Sequence, residues 1–161
     1  MFSKFSVSTL IAALALAGIA HAEVTPSEPG PGQVFNAGST CTVSWEGDKE
    51  STTAWKGMAI QLMTGDNFSM VHLTTIASDE DGTIDGRVNY PCPEVTINAN
   101  IYFYQFTAPG APGKTWTTRF TIASATGQTV AAPNATQPGT NDPVPWGVGA
   151  LVDPSKAVAA P

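Results

Sequence analysis

Few side chains in this sequence have chemistry to offer, and their spacing narrows it further. Two cysteines, Cys41 and Cys92, and two histidines, His21 and His72, lie far apart with no C-x-x-C or H-x-x-x-H pattern, so no metal site is expected of them as a set. A pair of cysteines in an oxidising compartment is expected instead to form one disulfide, closing a loop of roughly 50 residues with about 4 kcal/mol of loop-closure stabilisation. The histidines allow one redox alternative. If processing left His21 at a mature N-terminus, its amine and ring together with His72 could chelate copper as a histidine brace. The plainer reading makes His72 a strand residue on the face shared by Met70 and Thr74. Asp79, Glu80, Asp81 and Asp85 gather around Gly82 and Gly86, but DEDGTIDG does not follow the twelve-residue calcium-loop pattern and reads as a solvated hairpin turn. The acidic residues fall mostly in turns and nominate no pair for glycoside hydrolysis, and no G-x-S-x-G occurs. No enzyme and no cofactor is expected. Among the aromatics, Trp55 in a polar loop and Tyr102 and Tyr104, opposite Ile101 and Phe103, are the candidates for stacking on pyranose rings. Trp45, Phe103, Trp116 and Phe120 are assigned to the core.

The elements that must position these residues sit in a chain of 161 residues, room for one domain and its tails. Seven basic against thirteen acidic residues give a net charge of −6, which supplies no patch for phosphates, so neither nucleic acid nor an anionic membrane surface is an expected partner. With 15 glycines, 13 prolines and 12% charged residues the chain is turn-rich, and a helical bundle is excluded. Residues 1–22 read as a secretory leader: Lys4 supplies the positive start, Leu10 to Ile19 the apolar run, and Ala20-His21-Ala22 the small-residue cleavage site. The expected location is therefore extracellular or in a cell wall. The triplets Asn67-Phe68-Ser69 and Asn134-Ala135-Thr136 are N-glycosylation sequons. Residues 125–161, rich in Pro and Ala and without periodicity, read as a disordered tail. Their only apolar patch, Val148 to Val152, is too short for a GPI signal, and no membrane anchor is expected.

Between them, residues 23–124 read as an all-β, immunoglobulin-like antiparallel sandwich of about seven strands. Cys41, Val43 and Trp45 alternate with Thr40, Thr42 and Ser44, which places the cysteine on an inward face. Met58 to Met63 alternates likewise and stops at Thr64-Gly65-Asp66-Asn67, a turn that leads into a hairpin partner over Ser69 to Ser78. Thr83 to Tyr90 is the next strand, ended by Pro91-Cys92-Pro93. Asn100 to Thr107 and Lys114 to Ser124 form a closing antiparallel pair across a Pro/Gly loop. Short extended pieces at Glu23 to Thr25 and Gln33 to Phe35 complete the count.

This order of motifs resembles a known family. A leader, VTPSEPGPGQVFNAGSTCTVSWEGD, MAIQLMTGD, VHLTTIAS, an acidic Gly turn, YPCP, and a closing IYFYQF and TWTTRFTIAS pair are similar to the N-terminal domain of fungal cell-wall β-1,6-glucan synthesis proteins of the killer-toxin-resistance type. The same domain occurs in Ser/Thr-rich GPI-anchored fungal wall proteins. The matching positions are Ala37-Gly38 to Trp45, then Ile60, Leu62 and Gly65, and finally Phe120 and Ile122. The resemblance implies a secreted, non-catalytic fungal wall protein, a binding or assembly module whose partner is wall β-glucan or a wall glycoprotein. It carries no catalytic motif to transfer, and this chain lacks the Ser/Thr-rich stalk of longer members. Two other functions remain open: the copper oxidase built on His21, and a secreted effector binding a protein partner.

Overall fold

The computed structural model describes residues 23–161; the expected leader, including Lys4 and His21, lies outside the described residues. Eleven strands follow one another: β1 (Thr25–Glu28), β2 (Val34–Asn36), β3 (Thr40–Glu46), β4 (Lys56–Gly65), β5 (Met70–Asp81), β6 (Gly86–Pro91), β7 (Val95–Thr96), β8 (Asn100–Thr107), β9 (Thr115–Trp116), β10 (Phe120–Ala123) and β11 (Ala150–Leu151). The fold is all-β, and among the described residues the only helical element is a single 3₁₀ turn, Pro154–Lys156.

Two sheets face each other. The smaller runs β1-β3-β6; the larger runs β2-β10-β8-β4-β5, with β9 hydrogen-bonded to β8 off that path. Pairing is antiparallel except between β10 and β2. The strict alternation in β3 does what its period requires, with Cys41, Val43 and Trp45 buried and Thr40 and Glu46 exposed. Trp45 packs edge-on against Phe106, ring centroids 6.2 Å apart, and its indole N–H donates to the Ile84 carbonyl at 3.0 Å. Gly86, directly opposite Trp45 in the β3–β6 register, leaves the space that ring occupies. The disulfide joins Cys41 to Cys92, Cα atoms 5.0 Å apart, and ties β3 to the chain just beyond β6.

Three expectations need correcting. The acidic run Asp79-Glu80-Asp81 is the end of strand β5, paired with Lys56 and Met58 of β4, and the turn follows at Gly82. Asp81 is held there by Lys56, and its Oδ1 accepts from the Thr83 backbone at 3.0 Å, while Asp85 accepts from Gly47 N–H at 2.9 Å. These carboxylates are thus consumed by local bonds.

The single closing strand expected over Lys114 to Ser124 is broken in two. Thr117 uses its hydroxyl, in place of a backbone carbonyl, to accept from Tyr104 N–H at 2.9 Å, which ends β9 and lets Thr117 to Arg119 turn outward before β10 begins.

The third correction concerns residues 125–161, which are laid along the sandwich. Val130 N–H donates to Asn98 O at 2.8 Å, Asn134 and Trp146 bridge one another, β11 pairs with β7, and Thr75 N–H donates to Val158 O at 2.9 Å. Composition argued for disorder because the segment has little apolar bulk to bury. Its order comes from backbone hydrogen bonds to the body, made possible where glycine lets two chains approach: a Cβ on Gly149 would lie 2.9 Å from Thr96 O.

Candidate functional site

Strand β8 is buried on both faces, and its two faces do different things. Tyr102, Tyr104 and Phe106 point into the core between the sheets. Tyr104 stacks on Phe120 with centroids 4.9 Å apart and shares a 2.5 Å hydrogen bond with Tyr90 of the opposite sheet, and Tyr102 donates to Ile97 O at 2.6 Å. Burial pushes both phenols well above their ordinary pKa. Tyr102 and Tyr104 are 0% exposed and Trp55 is 1% exposed. None of the three can stack on a polysaccharide. The alternation that separates them from Phe103 is present, but the Phe103 side is the outward one.

On that outward face a row of residues runs across four strands in register: Thr75 of β5, Gln61 of β4, Gln105 of β8 and Trp116 of β9. Gln105 links them, its Nε2 donating to Gln61 Oε1 at 2.6 Å and its Oε1 accepting from Trp116 Nε1 at 3.0 Å. The amide chain fixes the indole by its polar edge and leaves the side chain 43% exposed. Trp116, assigned to the core from sequence, is instead the exposed aromatic of this face. At the far end of the row Thr75 Oγ1 lies 3.2 Å from His72 Nε2 and donates to Ala159 O at 2.7 Å. His72, partly buried, has its pKa lowered by desolvation.

Beside Trp116 the outward turn of Thr117 to Arg119 opens a cavity of about 590 Å³, within the range of small-ligand sites. Asn67, Asn100, Phe103, Trp116, Arg119 and Val144 are among its walls. Arg119 lies over the Phe103 ring, 3.8 Å from guanidinium carbon to centroid, and its Nη2 donates to Asn67 Oδ1 at 2.8 Å. It is 6% exposed; desolvation lowers its pKa to about 10, the Asp66 carboxylate opposes that shift, and the group stays charged at neutral pH. Two buried polar atoms in this wall, Arg119 Nη1 and Asn100 Oδ1, have no hydrogen-bond partner among the described residues. The supposed tail completes the cavity. Gln137, 2% exposed, accepts from Asn67 N–H at 2.7 Å and donates to Val144 O at 2.9 Å, which draws Pro143 to Pro145 over the opening.

Arg119, Asn100, Gln61 and Gln105 were not singled out from sequence. A signal existed, since Gln61 and Gln105 interrupt apolar strands and Arg119 is a charge inside TWTTRFTIAS, but only the register makes them neighbours. Of the sequon asparagines, Asn67 is exposed on the β4–β5 turn; Asn134 is half-buried, with Nδ2 3.5 Å from Trp146 O. The copper reading needs His21, which lies outside the described residues, and no group of three His, Cys, Asp or Glu among the described residues could hold a metal.

No curated protein matches the chain. A family match does exist: the Kre9/KNH-like N-terminal Ig-like domain aligns with residues 28–122, more than half of the sequence, and spans the strands of the two facing sheets, taking in only Glu28 of β1 and all but Ala123 of β10. That family is one of fungal cell-wall glucan synthesis, and its Ig-like domain is not a known catalytic fold. With its sandwich, its Ala37-Gly38 to Trp45 strand and its closing Phe120 and Ile122 in place, the chain belongs to the Kre9/KNH-like N-terminal Ig-like domain family.

Proposed function

We propose that this protein is a secreted, non-catalytic cell-wall module that lies on wall polysaccharide, β-glucan in the first instance, with the outward face of its larger sheet. The observation that carries the reading is Trp116: an aromatic residue 43% exposed, anchored by its N–H to the buried amide of Gln105 and, through it, to Gln61. An indole held by its polar edge offers its ring to the C–H face of a pyranose, while the buried amides behind it keep the ring in place. The net charge of −6 suits a neutral polymer better than an anionic one. Asn67 and Asn134 are the proposed N-glycan acceptors; Asn67 is exposed on a turn, with its Oδ1 taken by Arg119, and Asn134 is half-buried.

Co-sedimentation with insoluble β-glucan and with chitin tests this. Trp116→Ala is expected to weaken retention roughly two- to tenfold, equivalent to about 0.5–1.5 kcal/mol. Ile84→Ala, at an exposed apolar position in the loop after β5, is expected to leave it unchanged. Equal retention of wild type and Trp116→Ala would refute the face, and no retention at all would move the weight to a wall glycoprotein as partner.

A further inference from the structure

The cavity beside Trp116 holds two unsatisfied groups of opposite character, and their pairing specifies a ligand. Arg119 Nη1 is a donor and Asn100 Oδ1 an acceptor, both buried, both in the same wall, both without a protein partner. Leaving such groups unmade is costly, and in a folded protein each calls for an explanation. Arg119 is not a loose surface cation. Phe103 beneath it and Asn67 on Nη2 fix the guanidinium plane, so Nη1 has a set direction. Thr118 is exposed and Thr117 half-buried on the short turn that carries Arg119, and the wall contributed by Pro143, Val144 and Pro145 is apolar.

We infer that this cavity is a subsite for one neutral pyranose unit, held, once a small rotation of the two side chains turns their enclosed polar atoms to the cavity, by a hydrogen bond from Arg119 Nη1 to one sugar oxygen and a hydrogen bond from an adjacent O–H or N–H of the sugar to Asn100 Oδ1. The inference rests on the polysaccharide reading and deepens it. A carboxylate could satisfy Nη1, but it only accepts, and would leave Asn100 Oδ1 unpaired. A neutral sugar presents donor and acceptor on neighbouring carbons and satisfies both. Phe103 is already covered by the guanidinium, so the apolar face available to the ring is Trp116 on one side and the proline-rich wall on the other. Two sources supply this chemistry, a vicinal diol of a glucan and the acetamido group of chitin.

Calorimetric titration of the protein with soluble β-gluco-oligosaccharides, chito-oligosaccharides and glucuronate separates the possibilities. Asn100→Ala and Arg119→Lys are the test variants, each checked for folding by near-UV circular dichroism and thermal melting. Binding of a neutral oligosaccharide, weakened about tenfold in Asn100→Ala as for one lost hydrogen bond, is the expected result. The better ligand of the two neutral series identifies the source. If Arg119→Lys fails to fold, Asn100→Ala alone decides. Neutral-sugar binding unchanged in a folded Asn100→Ala overturns the subsite, as does binding of glucuronate in preference to both neutral series. Absence of soluble binding, with insoluble glucan still retained and still dependent on Trp116, also overturns the subsite while the polysaccharide face stands. Loss of insoluble retention as well would be failure of the wider reading.

Discussion

Replacing Thr64 by valine tests the unexpected docking of residues 125–161, because its buried hydroxyl makes two of the hydrogen bonds that fasten that segment to the larger sheet. Thr64 is 0% exposed; its Oγ1 donates to Gly147 O at 2.9 Å and accepts from Gly149 N–H at 3.1 Å. Valine keeps the shape and removes the hydroxyl. The Gly147 carbonyl retains a partner, since Gly65 N–H also donates to it at 2.9 Å, but Gly149 N–H is left buried and unpaired. One orphaned buried donor costs about 1–3 kcal/mol, so the expected loss is about 2 kcal/mol, or a fall in melting temperature of about 8 °C. Urea unfolding followed by tryptophan fluorescence measures the loss, and limited proteolysis reports whether residues 125–161 are released. Because Pro143, Val144 and Pro145 of this segment form one wall of the cavity, with Gln137 holding Val144 in place, the same variant is expected to bind oligosaccharide more weakly. A change below about 0.5 kcal/mol, equal to that of the exposed control Thr52→Val, together with equally fast cleavage of the segment in wild type, would refute the docking.

Other perturbations read other parts of the molecule. The double variant Cys41→Ala/Cys92→Ala opens a crosslink with a sequence separation of 51 and is expected to lose about 4 kcal/mol in chemical denaturation. Gly86→Val forces a side chain into the Trp45 ring, whose Cε2 would lie 2.6 Å from the new Cβ; a loss of about 1–3 kcal/mol is expected, with an altered near-UV tryptophan spectrum. Stability is expected to depend on acid in two windows. Desolvation lowers the His72 pKa below its ordinary 6.5, so the unfolded chain takes up the proton first and stability falls as pH drops below about 6.5; His72→Gln flattens that limb. Asp81, lowered to about 2 by Lys56 and then Thr83, stabilises the fold fully above its ordinary 3.8 and loses that contribution as pH falls toward 2, a limb that Lys56→Met reduces. Denaturant midpoints measured across pH check both.

Much of the sandwich was legible because strand periodicity is a local property. Cys41, Val43 and Trp45 must share a face wherever the strand is placed, and the turn at Thr64 to Asn67 stops β4 by its own residues. The candidate site was not legible, and Tyr102 and Tyr104 show why. Alternation separates them from Phe103 and Gln105 but does not say which set faces the opposite sheet. That choice was made by Tyr90 and Phe120, which reach the tyrosines from other strands, and by Arg119, which covers Phe103.

What the sequence determined by itself is therefore the class of fold, the pairing of its only two cysteines and the net negative charge, since each follows from residue type, count or local period. Tertiary structure alone decided that Trp116 is exposed while Trp55 is buried, that Gln61, Gln105 and Trp116 stand in one row, and that residues 125–161 close a cavity. The physical reason is the same in each case. These outcomes depend on hydrogen bonds and contacts between residues distant in sequence, such as Thr64 with Gly149 and Asn67 with Gln137, and no local propensity encodes which distant group will satisfy a buried one.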